Sequence, residues 1–189
     1  MTDARIEPAK PPFPEAVQQM FDRTMPPGVP PLVLFTTLAR SERALSRFMA
    51  GGLLDKGPLG LRERELMIDR TCARCGSEYE WGVHIAFFGA RVGLTKDQIA
   101  GTAASQIDAA LWSERDRLVF QLADELHDAS SIGEELWAAL SREFSEEQIL
   151  ELILLAGFYR TVSYLTNGLR LPLEAYGARF PEGAEGVRT

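Results

Sequence analysis

The chain has 189 residues, 46% of them hydrophobic and 25% charged, with a formal charge of −7. That length fits one domain with an appendage, and the composition is that of a globular protein with a real core. The acidic balance, with basic residues interleaved among acids, excludes a general nucleic-acid binder.

The opening residues, MTDARIEPAK, contain no apolar leader core, so no export signal is expected and a cytoplasmic location is. The longest apolar run, Ile149 to Tyr159, is interrupted by Glu151 and is too short to span a bilayer, so no membrane partner is expected. Two cysteines cannot make a disulfide framework, and in a reducing compartment a C-x-x-C is reactive, metal-binding or incidental.

Eight of the eleven prolines lie at positions 8 to 31. Each removes a donor and restricts the residue before it, so residues 1–30 read as an irregular arm. Within it Glu15 to Thr24 can form one helix with Val17, Met20 and Phe21 on a face. The arm is expected to pack across the domain or onto a neighbouring subunit. Residues 31–180 read as a single helical domain, and 181–189 as a tail.

From Pro31, Leu32, Phe35, Leu38, Ala39, Leu45, Phe48 and Met49 recur at helical spacing until Gly51-Gly52. A second helix takes Arg62 to about Arg74, where Gly76 breaks it. Ser77-x-x-Glu80 then has the form of a capping box opening a helix that runs to about Arg91. The same signal recurs at Thr95-x-x-Gln98, Ser113-x-x-Asp116 and Ser145-x-x-Gln148. The last two open helices with apolar stripes at Leu118, Val119, Leu122, Ala123 and Leu126, and at Ile149, Leu152, Ile153, Leu155, Ala156 and Tyr159. No comparable stretch alternates with period two, so the fold class is all-α.

The reactive chemistry is concentrated between Leu61 and Leu94. Glu65 shares a helix face with Ile68 and Cys72. A carboxylate on an apolar face is exposed or has a task, because unpaired burial is costly. His84 stacks on Glu80 and Trp81 one turn behind it and on Phe87 and Phe88 ahead. An imidazole among aromatics with a carboxylate one turn away can donate and accept protons near neutral pH; equally, it can be a core histidine. Glu80 can serve its capping box as readily as a reaction.

Cys72 and Cys75 flank Arg74, a cation that favours thiolate, although cysteine is also a common small core residue. A structural zinc site needs four N or S ligands, and the chain has two Cys and two His in all, so no metal is expected. His127, in DELHDAS near a helix C-terminus, reads as a solvated histidine favoured by the helix dipole.

The pattern R-E-x-E-L from Arg62, C-G-x-E-Y-E-W-x-x-H from Cys75 and G-L-T-x-x-Q-I from Gly93 resembles the carboxymuconolactone decarboxylase and alkylhydroperoxidase D superfamily. Over residues 31 to 176 the chain looks like its longer, decarboxylase-like members. The resemblance implies an AhpD-like helical bundle that assembles as a homo-oligomer (dimer, trimer or hexamer) and takes a small-molecule substrate with no cofactor. In the peroxidase branch a C-x-x-C ends four residues before the histidine. If His84 is that histidine, the two thiol positions fall on Ser77 and Glu80, the upstream glutamate falls on Glu65, and Cys72 and Cys75 sit five residues early.

In the decarboxylase branch acid–base residues replace the thiols. The expected activity is therefore acid–base chemistry on a small organic acid or lactone, with His84, Glu65 and Glu80 catalytic and Ser77, Tyr79 and Trp81 as neighbours. The alternatives are a thiol peroxidase using Cys75 and Cys72, and a non-catalytic helical oligomer.

Overall fold

Nine consecutive buried residues, Glu65 to Ala73, make α4 (Leu61–Arg74) the helix around which the others assemble, as expected of a helix covered on all sides. The computed structural model describes residues 4–182, and among these every regular element is helical. The elements run α1 (Glu15–Thr24), α2 (Val33–Leu38), α3 (Glu42–Met49), α4, α5 (Glu78–His84), α6 (Lys96–Thr102), α7 (Glu114–Ala129), α8 (Glu134–Glu143) and α9 (Glu146–Gly168). The tail expected at 181–189 lies outside the described residues from 183 onward.

A central helix that carries Glu65, Asp69 and Arg70, each 1% exposed, must pair its charges. Arg70 donates through Nε and Nη2 to both oxygens of Asp124, at 2.7 and 2.8 Å, and through Nη1 to the carbonyl of Ala104. Arg62 grips Asp116 in the same two-pronged way, and Arg74 reaches Asp128. All three pairs are 54 residues apart, so α4 and α7 run parallel. Three rungs spaced along α4 fix the register of one helix against the other. α9 closes the other side of α4; it is 23 residues long and apolar enough, by length and composition, to cross a bilayer. It presents Leu150, Leu154 and Tyr164 outward.

The arm packs on its own chain. Val17 and Phe21 are buried, Phe13 meets Phe21 edge-on, and the Arg5 and Ala9 amides donate to the carbonyls of Leu169 and Thr36. At the far end of the chain, the Ala178 amide donates to the Gly82 carbonyl at 2.9 Å, and Phe180 stacks near Trp81. A Cβ on Gly82 would collide with the Ala178 carbonyl oxygen, so this glycine lets the returning chain lie directly on α5.

Four local expectations are corrected. The run from Pro31 to Met49 is two helices, because Ser41 accepts from the Ala44 amide and starts α3. The helix opened after Ser77 changes after His84 into a π-helical stretch, Ile85–Gly89. An unassigned helix, α8, lies between α7 and α9. Ser77 makes no cap: its hydroxyl bonds that of Thr166 at 2.8 Å. The boxes at Thr95, Ser113 and Ser145 are formed as expected.

Candidate active site

The end of α5 lies against the middle of α4, and the contact is polar. His84 Nδ1 lies 2.7 Å from Glu65 Oε2, and His84 Nε2 lies 3.5 Å from Glu80 Oε1. Glu80 reaches Nε2 from one turn back on the same helix. All three residues are buried, at 1%, 6% and 4% exposed for Glu65, Glu80 and His84. With the capping bond absent at Ser77, the Glu80 side chain is available to the imidazole.

Burial alone would disfavour the imidazolium. The hydrogen bonds and charges of Glu65 and Glu80 outweigh it and push His84 up to about 10. His84 is thus a protonated donor at neutral pH. Glu65 is tied in turn by Arg64, whose Nε is 3.3 Å from Glu65 Oε1 and whose Nη1 donates to the Leu54 carbonyl. Asp69 joins the cluster from α4. Burial, opposed by His84 and helped by Glu65, holds its carboxyl well above the usual carboxylate range. Two oxygens in this layer, Glu80 Oε2 and Asp69 Oδ1, are buried with no hydrogen-bond partner among the described residues, an arrangement uncommon enough to mark a site.

Glu80 and His84 open onto a cavity of about 600 Å³. Its walls are mostly apolar, with Phe35, Phe48, Phe87, Phe88 and Phe158 prominent, Tyr159 beside His84, and Arg23, Arg91 and Asp55 in the lining. The His84 ring stacks near Phe88 and meets Tyr159 edge-on at 5.0 Å. The π-helical turn matters here, since a π-bulge shifts the register of the side chains after it and is frequent at functional sites. It falls on the residues that carry Phe87 and Phe88.

The remaining expected residues lie elsewhere. Trp81 is fully buried and donates through Nε1 to Thr102 Oγ1 at 2.9 Å. Tyr79 donates to Glu174 Oε1, which also accepts from the Val33 amide. These side chains, with Ser77, brace α5 and do not line the aromatic cavity. Cys72 is fully buried and Cys75 half-buried, and both are free thiols. Burial pushes both up, with Glu80 and Asp69 adding to the effect at Cys72.

Cys75 belongs to a different cavity from His84. His127 is not the solvated, dipole-stabilised histidine expected: it is half-buried, and burial with the Arg74 and Arg160 charges lowers it. Sequence reasoning missed Asp69, one turn after Glu65 on the same face, and Arg64. It also missed the walls from Phe35, Phe48 and Phe158, which come from distant segments.

Fold and site together define an all-α protein with a buried Glu–His–Glu cluster at the base of an aromatic cavity. Residues 40–125, which hold the whole cluster, match the carboxymuconolactone decarboxylase family. The matched segment is a little under half of the chain. An uncharacterized peroxidase-related protein from Silicibacter sp. TM1040 shares the fold, with a TM-score of 0.71 and 20% identity over 96% of this chain and all of that one. So does an alkylhydroperoxidase AhpD core, an uncharacterized peroxidase-related protein from Ralstonia eutropha JMP134, with a TM-score of 0.70 and 20% identity over 93% of this chain and 94% of that one. No curated protein matches the chain in sequence.

Proposed function

We propose that the chain is an acid–base enzyme of the decarboxylase-like branch, acting on a small organic acid or lactone with a largely apolar body. The observation that carries this reading is the imidazole held between two buried carboxylates, one of which keeps an unpaired oxygen beside the aromatic cavity. In this reading Glu65 fixes the Nδ1–H of His84, so that Nε2–H is the proton the site can deliver. Glu80 accepts the substrate proton and returns it through the ring.

The aromatic walls exclude water and hold the apolar body, and Arg23 and Arg91 offer the lining's cations to a carboxylate. When a C–C bond to carboxylate breaks, carbon dioxide leaves and the electron pair stays on the substrate carbon. His84 then supplies the proton that quenches it.

The test is turnover of a confirmed substrate by His84→Gln and Glu80→Gln. Each is expected to lose roughly 10²- to 10⁴-fold in kcat, and unchanged turnover in either would refute its role.

The second reading is a thiol peroxidase using Cys75 with Cys72 as resolving partner. In its favour, the Ser163 side chain opposes the rise of both thiols, and the two structural neighbours are peroxidase-related by name. Against it, both thiols are held up by burial, away from the reactive thiolate form. They also lie on the far side of Gly76, whose φ of +63 ends α4 before the histidine helix begins.

A further inference from the structure

A second cavity, of about 850 Å³, opens beyond the C-terminal end of α4 and shares no lining residue with the aromatic one. Its lining brings together Arg74, Cys75, His127, Arg160 and Arg170, with Glu78 as the one carboxylate. In a chain of net charge −7 this is a locally cationic hollow.

The arginines are not equivalent. Arg74 is committed to Asp128 and lies near Asp124. Arg160 donates through Nε to the Tyr164 hydroxyl at 2.7 Å and through Nη1 to the His127 carbonyl at 3.2 Å, and no carboxylate among the described residues pairs with it. Its guanidinium is therefore fixed in place by neutral partners while its charge stays unneutralised. That is the state of an arginine prepared for an incoming anion.

The same hollow contains a nucleophile and a base. Cys75 Sγ lies 3.8 Å from His127 Nδ1. Burial raises the Cys75 thiol and the Arg160 and Arg74 charges oppose it, while burial and the same two charges lower His127, so both groups feel a positive field. The imidazole, lowered, is a neutral acceptor at pH 7.

We propose that this cavity is a second ligand site, in which Arg160 holds a small organic carboxylate that bears an anionic leaving group on its neighbouring carbon; the Cys75 sulfur bonds to that carbon as the leaving group departs with its electron pair, and His127 Nδ1 accepts the thiol proton. The site is independent of the acid–base cluster, and it requires no redox partner.

Iodoacetate and iodoacetamide are near-equal in size and differ in charge, which makes them the probes. In either reaction the S–C bond forms, the C–I bond breaks, iodide leaves and the thiol proton passes to the imidazole. The experiment measures the rate of each at Cys75 by peptide mapping, in the folded protein and in denaturant. The fully buried Cys72 is resolved as a separate peptide.

The iodoacetate-to-iodoacetamide rate ratio is expected to rise about tenfold or more on folding, the scale of electrostatic focusing into a charged cleft. It is expected to fall back in Arg160→Gln, to persist in Arg160→Lys, and to be suppressed by added malonate. A wild-type ratio equal to that in denaturant overturns the proposal. So does a raised ratio that survives Arg160→Gln in a variant with native circular dichroism. Should Arg160→Gln not fold, malonate protection of the wild type decides.

Discussion

Replacing Glu65 by Gln keeps an oxygen acceptor for His84 but removes one of the two charges that hold the ring protonated. The rise of His84 from 6.5 to about 10 corresponds to about 5 kcal/mol favouring the imidazolium in the folded chain. Both carboxylates contribute, and Glu65 is the closer, at 2.7 Å against 3.5 Å. Its loss should lower the titration of His84 by about 2 units.

The consequence for stability has a definite sign. The folded value is raised, so the contribution is fully present below about pH 6.5, where the unfolded histidine is also protonated. Above that it declines by about 1.4 kcal/mol per pH unit until His84 itself titrates near 10. In Glu65→Gln the decline should stop about two units sooner.

The assay is the His84 Cε1–H chemical shift followed by NMR from pH 5 to 11, with denaturant unfolding at several pH values between 6 and 9. The thiols, which burial pushes up, contribute only toward the top of that window and above it. A wild-type His84 titrating near 6.5, or one unmoved by Glu65→Gln, would refute the coupling.

Three further outcomes follow from the same geometry. Gly82→Ala should cost about 1 to 3 kcal/mol by forcing the segment at Ala178 off α5, visible as a lowered Tm and as faster proteolysis of the C-terminal segment. Arg70→Met, which leaves Asp124 with only Arg74 Nε at 3.5 Å to tie α7 to α4, should cost up to roughly 3 kcal/mol in urea unfolding; a loss under about 1 kcal/mol would show that the pair contributes little. Stoichiometric peroxide should leave the fully buried Cys72 titratable, with its thiol held up by burial, whereas loss of both thiols to a reversible intramolecular disulfide would favour the peroxidase reading.

What the sequence made legible was mostly local. The limits of α1 and α4 and the boxes at Thr95, Ser113 and Ser145 rest on contacts within one turn, so residue type and spacing suffice. Ser77 has the same spacing but a different fate, because Thr166, 89 residues away, takes its hydroxyl. No local pattern contains that competitor. The start of α3 at Ser41 was hidden because apolar spacing continues across it from Leu38 to Leu45.

α8 lacks a side-chain cap at Gly133 and buries only Leu136 and Leu140, too little periodicity to stand out. At the site, the pairing of Glu65 with His84 was foreshadowed by register and by the family resemblance. The surroundings of Cys75 were not, since His127 and Arg160 come to its cavity from α7 and α9. Helix faces are written in sequence, but which faces meet is decided by packing.

In the proposed function, proton transfer at Glu65, Glu80 and His84, and not thiol chemistry, carries the activity. The most direct test compares Glu80→Gln with Cys75→Ser on one confirmed substrate, in variants shown to be folded. The expected result is a kcat lowered roughly 10²-fold or more in Glu80→Gln and turnover near wild type in Cys75→Ser. An active Glu80→Gln beside an inactive Cys75→Ser would contradict it.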